Sequence, residues 1–140
     1  MESLALTAPA RRELSSETRT AVQAFLEAIP EREYPELEAE ILPEHLNGSF
    51  EGAAYTLSLI LKEQFQSGDF SGSARSLESF LSIRREDSVE RAARYYLGQA
   101  YYFEGEYRKA FYEFLIAEER YYPEAQSWIN DIYRRMRDAG

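Results

Sequence analysis

Apolar residues recur at three- and four-residue steps along most of this chain, and no run of four or more residues reads as a β-strand with alternating faces. That period predicts helices and no strands. Ser15 and Ser16 before Glu17 read as a helix start. Val22, Phe25, Leu26 and Ile29 give that helix its apolar side, and Pro30 ends it. A second, short helix is expected after Pro35, with Leu37, Ile41 and Leu42 as its stripe and Pro43 and Gly48 closing it. Phe50, Ala53, Ala54, Leu57, Ile60, Leu61 and Phe65 trace a longer face. After the turn Ser67-Gly68-Asp69, Phe70, Ala74, Leu77, Phe80 and Leu81 continue it.

Asp87 with Glu90 reads as the start of the next helix, whose stripe is Val89, Ala93, Tyr96, Leu97, Ala100 and Tyr101. Glu104-Gly105-Glu106 is the turn into Tyr107, Ala110, Phe111, Phe114 and Ala117. Pro123 opens a last helix carrying Ile129, Ile132, Tyr133 and Met136. Glu124 near its start and Arg134, Arg135 and Arg137 near its end suit the helix dipole. The expectation is six or seven helices on short turns, which make successive helices antiparallel neighbours. Residues 1–14 lack periodicity and are expected to be a flexible tail ahead of one domain, 15–140.

Composition narrows the chemistry. The 140 residues suit a single domain, and 44% apolar with 29% charged is ordinary globular usage. There is no cysteine and one histidine, which excludes disulfides, thiolate nucleophiles and multi-histidine metal centres. Net charge is −9, and the acidity sits in residues 1–70, where five Lys and Arg face 13 Asp and Glu. Nucleic acid, which needs clustered cations, is not an expected partner, nor is an anionic membrane surface. No apolar run is long enough to insert in a membrane, and no signal core precedes Leu14. The chain as it stands is expected to be cytoplasmic, or periplasmic (cell envelope) if a leader has been removed.

Two stretches superpose at a shift of 37: Gly68-Asp69-Phe70 and Gly105-Glu106-Tyr107. Self-similarity on this scale marks stacked repeats. The segment 91–124 resembles the tetratricopeptide repeat, through Leu97-Gly98, Ala100, Tyr101, Gly105, Tyr107, Ala110, Phe114 and Ala117. Gly98, Ala110 and Ala117 are small where two helices must cross closely; Tyr101, Tyr107 and Phe114 fill the space around those crossings. Arg94 stands where the family carries Trp, and Pro123 falls one residue late. The segment 54–87 is a weaker copy, with Ile60-Leu61 in place of the Leu-Gly pair. The resemblance implies an all-α, right-handed superhelix of helical hairpins. Residues 15–48 would be its N-terminal helices, 50–87 a degenerate repeat, 88–123 a repeat and 124–138 a capping helix.

It also implies a concave groove that binds a partner protein or peptide. Carried over by motif, the groove residues are Tyr55, Ser58, Lys62 and Phe65 in the weak repeat, Tyr95, Gln99 and Tyr102 in the strong one, and Asn130 and Arg134 on the last helix. The carboxylate-clamp form of the family is not matched, because only Lys62, Asn130 and Arg134 offer its polar groups. Tyr102 is expected to be exposed and dispensable for stability. The tyrosine pairs 95–96, 101–102 and 121–122 are each expected to turn one ring in and one out.

The alternative is a structural subunit of a larger complex that self-associates as a homodimer through Trp128, Ile129 and Ile132. The Glu run at 27, 31, 33, 36, 38, 40 and 44 reads as a solvated face or a docking strip for a basic partner. His45 reads as a surface residue beside a helix end. No phosphate loop, nucleophile elbow or metal pair occurs, so a non-enzymatic module without cofactor is expected.

Overall fold

The computed structural model describes residues 16–21, 36–46 and 52–139. The chain falls into two compact units, Met1–Glu36 and Leu37–Gly140. In the first, residues 16–21 are helical, with Thr20 Oγ1 donating to the Ser16 carbonyl. The expected tail at 1–14 and the stripe Val22 to Ile29 lie outside the described residues.

The second unit is all-helical among the described residues. Its helices are α1 (Pro43–Leu46), α2 (Gly52–Ile60), α3 (Phe70–Leu81), α4 (Asp87–Phe103) and α5 (Tyr107–Ala139). A π-helical stretch, Leu61–Phe65, continues α2, closed by Gln66 N–H donating to the Leu61 carbonyl. None of these helices is long and apolar enough to cross a membrane.

Both expected turns are present. Gly68 and Gly105 take φ of 87° and 81°, a left-handed conformation that glycine adopts without a Cβ penalty. Each lies two residues before the next helix, at Phe70 and Tyr107. Asp69 caps α3 by accepting the Gly72 N–H at 2.9 Å. At α4 the capping position is Glu86, not Asp87, and no side chain caps it. Within α5 the helix bends at Tyr121 (φ −116°, ψ 48°), two residues before Pro123. Proline lacks the N–H and crowds the preceding turn, so the helix cannot run straight there. Residues 107–139 are therefore two helices meeting at Tyr121, and Pro123 stands in the first turn of the second, where its missing N–H costs nothing.

The short helix expected over Leu37, Ile41 and Leu42 is corrected. Residues 37–42 are non-helical, and only Pro43–Leu46 forms a turn of helix. Pro43 opens that turn, a position where its missing N–H costs nothing. The backbone N–H groups of Glu40 and Leu42 are taken by side chains of α4 instead.

Helix α4 is the centre of the unit. Eight consecutive residues, 95–102, are buried, so it has no solvent side over two turns. A helix surrounded this way is a core helix. Leu61 and Phe65 join the same core from the π-helical stretch, and Leu77 and Phe80 from α3; Ala110, Phe114 and Ala117 join it from α5. Beyond the kink, Ala125, Trp128 and Ile132 are also buried in it. Trp128 stacks on Phe114 at 5.6 Å and meets Tyr102 edge-on at 5.1 Å. Gly98 makes the crossing possible: a Cβ there would stand 3.0 Å from the Phe114 ring.

Candidate functional site

Residues 37–42 lie along α4 and are held there largely by their backbone. Gln99, fully buried, uses both ends of its amide on one residue. Its Oε1 accepts the Glu40 N–H at 2.7 Å, and its Nε2 donates to the Glu40 carbonyl at 2.9 Å. One turn below, the Tyr96 hydroxyl oxygen accepts the Leu42 N–H at 3.0 Å. Between them, the Tyr95 hydroxyl donates to the Glu40 carboxylate at 2.8 Å, and Trp128 Nε1 donates to the Tyr95 oxygen at 3.3 Å. Leu37, Ile41 and Leu42 are half-buried against the core, while Glu38, Ala39 and Glu40 are exposed. Burial pushes the Tyr95 and Tyr96 hydroxyls well above the ordinary phenol range, Tyr95 with help from the Glu40 carboxylate. Both stay protonated and able to donate.

His45 pins the far end. Its Nδ1 lies 2.5 Å from the Tyr96 oxygen and its Nε2 3.0 Å from the Tyr121 oxygen. The Tyr96 oxygen already accepts from Leu42, so we assign its proton to His45 Nδ1. Nε2–H then donates to Tyr121. Burial holds the imidazole pKa below its ordinary value; Glu44 opposes that and Arg120 adds to it. His45 is therefore corrected from a surface residue to a half-buried link between α1, α4 and the kink of α5.

Two clefts flank this seat. One, about 510 Å³, is bordered by His45, Leu57, Val89, Arg120 and Tyr121, with Glu44 and Glu124 among its rim groups. The other, about 780 Å³ and shallower, runs between residues 37–41 and Pro123, Glu124, Ser127 and Trp128. Among the described residues no group of three His, Asp or Glu is placed to hold a metal ion.

The expected groove residues divide. Gln99 and Tyr95 stand at the seat, but as fully buried groups covered by residues 37–42. Tyr102, expected to be exposed, is corrected to core: 6% exposed, it donates to Asp131 Oδ2 at 2.5 Å, which also accepts from Arg135 Nε at 2.6 Å. Asp131 is fully buried, and its Oδ1 has no hydrogen bond but lies 3.8 Å from Arg134. Phe65 and Ser58 are corrected in the same way. Phe65 packs edge-on against Phe70 and Tyr96, and Ser58 donates to the Tyr55 carbonyl. Tyr55 is half-buried, Lys62 and Asn130 are exposed, and Arg134 is partly exposed.

The self-association set needs the same correction. Trp128 and Ile132 are buried within the chain by the fold-back of α5, and Ile129 is half-buried. The large apolar side chains left exposed beyond the kink are Tyr122, Tyr133 and Met136. Of the tyrosine pairs, only 121–122 splits as expected; Tyr95, Tyr96, Tyr101 and Tyr102 are all buried. Sequence reasoning missed His45 and Glu40 as partners of this face. Glu40 sat in a Glu-rich run, and nothing in that run separates a seated glutamate from a solvated one.

Arg94, where the resembled family has Trp, has a clear local job. It donates to Glu113 Oε1 at 2.8 Å and Glu90 Oε2 at 3.0 Å, clamping α4 to α5 with a charge pair in place of a ring. Searches against family models, curated proteins and solved structures each found nothing that matches this chain.

Proposed function

We propose that this chain is a protein-interaction module of the tetratricopeptide type, whose α4 face grips the backbone of a non-helical polypeptide. The carrying observation is the two-point hold of Gln99 on Glu40, with Tyr96 taking the N–H two residues on. Backbone-directed contacts of this kind read the course of a chain and leave its side chains to set specificity. The matched turns at Gly68 and Gly105 and the close crossing at Gly98 support the helical-hairpin reading.

The test is site-specific photo-crosslinking in cells. A photo-reactive residue at Ser127, on the cleft beside the seat, is expected to capture a heterologous protein. The same group at Lys109, exposed near the start of α5, should not. Equal capture at both positions, or none at Ser127, would overturn the reading.

A second reading, self-association beyond the kink, is favoured by one observation: Tyr122 and Tyr133 are 60% and 58% exposed on that limb. Exposed aromatic side chains are enriched at interfaces. Tyr133→Glu would abolish a dimer seen by analytical ultracentrifugation if this reading holds.

A further inference from the structure

Resting on the interaction reading, we infer that residues 37–42 are a resident occupant of the site. We further infer that the partner is a peptide of the same chemistry, a glutamate followed by two aliphatic residues, which takes the place of that segment by exchange.

Three observations carry this. First, the seat is already filled by non-helical backbone, and its recognition is spelled out in contacts: a residue whose N–H and C=O both meet Gln99, a carboxylate on that residue reaching Tyr95, and an N–H two positions on reaching Tyr96. In this chain those positions are Glu40, Ile41 and Leu42. Second, one side of the segment is open, although Leu37, Ile41 and Leu42 pack against the core on the other. Glu38, Ala39 and Glu40 are exposed, and the shallow cleft runs along its open side. Third, the seat cannot stand empty at little cost. Departure of the segment strips the fully buried Gln99 amide of both its partners and takes one each from the Tyr95 and Tyr96 hydroxyls, which keep Trp128 and His45; unmade bonds at buried groups are unfavourable. The segment therefore leaves only when another backbone offering the same groups arrives. The cleft between the segment and Pro123, Glu124 and Ser127 gives an incoming chain room to approach.

An intramolecular occupant competes at an effective concentration on the order of millimolar, so a partner with no further contacts binds the intact chain weakly. Removing the resident's grip should expose the site. In the full chain, Glu40→Pro deletes both the N–H that Gln99 accepts and the carboxylate that Tyr95 reaches. A fluorescent synthetic peptide spanning residues 37–46 is expected to bind this variant about tenfold or more tightly than the parent chain. Adding Gln99→Leu should abolish the gain. In the unaltered chain, excess peptide should speed hydrogen exchange at the Glu40 and Leu42 amides, a readout that holds even if Glu40→Pro folds poorly.

Equal affinity for parent and variant, or binding indifferent to Gln99→Leu, overturns the inference. So does a dimer that forms by trading this segment between copies and is lost in Glu40→Pro. Capture of a partner at Ser127 with the Glu40 and Leu42 amides still protected overturns exchange and leaves the interaction reading standing. No capture and no peptide binding removes both.

Discussion

Gly98 and Gln99 are neighbours on α4, yet they meet the rest of the molecule by opposite means. Gly98 faces α5, where the absence of a side chain lets the Phe114 ring sit close, and small alanines at 110 and 117 continue the fit. Gln99 faces residues 37–42, where the contact is two hydrogen bonds to one residue, the N–H and the C=O of Glu40. The first face is a matter of shape and tolerates no added volume. The second is a matter of donors and acceptors, and any backbone presenting the right pair satisfies it. The difference separates the two contacts: the α5 face is fixed by close packing, and the adjacent face holds residues 37–42 by hydrogen bonds, the hold on which the proposed exchange rests.

The strongest blow to the shape-fitted region should come from Tyr102, at the end of α4. Tyr102→Ala removes a ring packed against Phe103, Tyr107 and Trp128 and strips Asp131 of one donor. Aromatic-to-alanine changes in cores cost about 3–5 kcal/mol, and a loss of that size in chemical denaturation is expected here. Next comes Gly98→Leu, which drives a branched side chain into the fully buried Phe114 ring. Overpacking of this kind costs about 1–3 kcal/mol. A melting temperature unchanged by Gly98→Leu would mean that the crossing is not what positions α5.

These two faces also differ in how readable they were. The close crossing was legible through the resemblance of 91–124 to the repeat, which implies a near approach at the small residues Gly98, Ala110 and Ala117. Both helical hairpins and their turns followed from the same period. The seat was not legible. Leu37, Ile41 and Leu42 have helical spacing, but tertiary contacts from Gln99 and Tyr96 hold the backbone N–H groups that a helix would use. Local pattern yields to such contacts when no long stripe backs it. The resemblance implies an open concave face for Tyr95 and Tyr102. Here residues 37–42 and the folded-back end of α5 cover that face, a consequence of the kink at Tyr121 that no local spacing announces.

On the polar face the expected effects are smaller and local. Gln99→Leu keeps the volume but deletes both bonds to Glu40, whose peptide groups can then reach water. A loss of about 1–2 kcal/mol follows from two neutral hydrogen bonds, less than for Gly98→Leu at the upper end of its range. Hydrogen exchange should show the Glu40 amide losing protection while the α4 amides at Ala93 and Leu97 keep theirs. Loss of protection in both places would erase the distinction between the faces.

Acid should reach the same region through His45. Its folded pKa lies below its ordinary value, chiefly through burial, so the neutral ring is favoured in the folded chain. The unfolded chain then binds more protons between the lowered pKa and about 6.5. The stability that His45 supplies is complete above that window and declines as pH falls through it. Protonation also gives Nδ1 a hydrogen where the Tyr96 hydroxyl must donate, which sets two donors against each other. With one histidine in the sequence, a single imidazole NMR signal reports this titration directly. The Leu42 amide should lose protection on the same curve; a His45 titrating at or above 6.5 would remove the effect.

The smallest effect tests whether polar contact alone, apart from what it holds, distinguishes the seat. Arg91 on α4 donates from Nε and Nη2 to Glu119 on α5 at 2.9 and 2.7 Å, so by distance it is as good a link as Gln99 to Glu40. Its setting differs: the Glu119 side chain is 66% exposed, and water competes for its carboxylate. Exposed ion pairs contribute about 0–1 kcal/mol, so Glu119→Gln should shift denaturation by less than about 0.5 kcal/mol and leave every amide in 37–42 protected. Gln99 does more at similar distances because it is fully buried, where each unmade bond is felt. If Glu119→Gln proved as costly as Gln99→Leu, burial would not be what sets the two contacts apart. The seat would then be one surface link among several, with no special hold on the chain that lies in it.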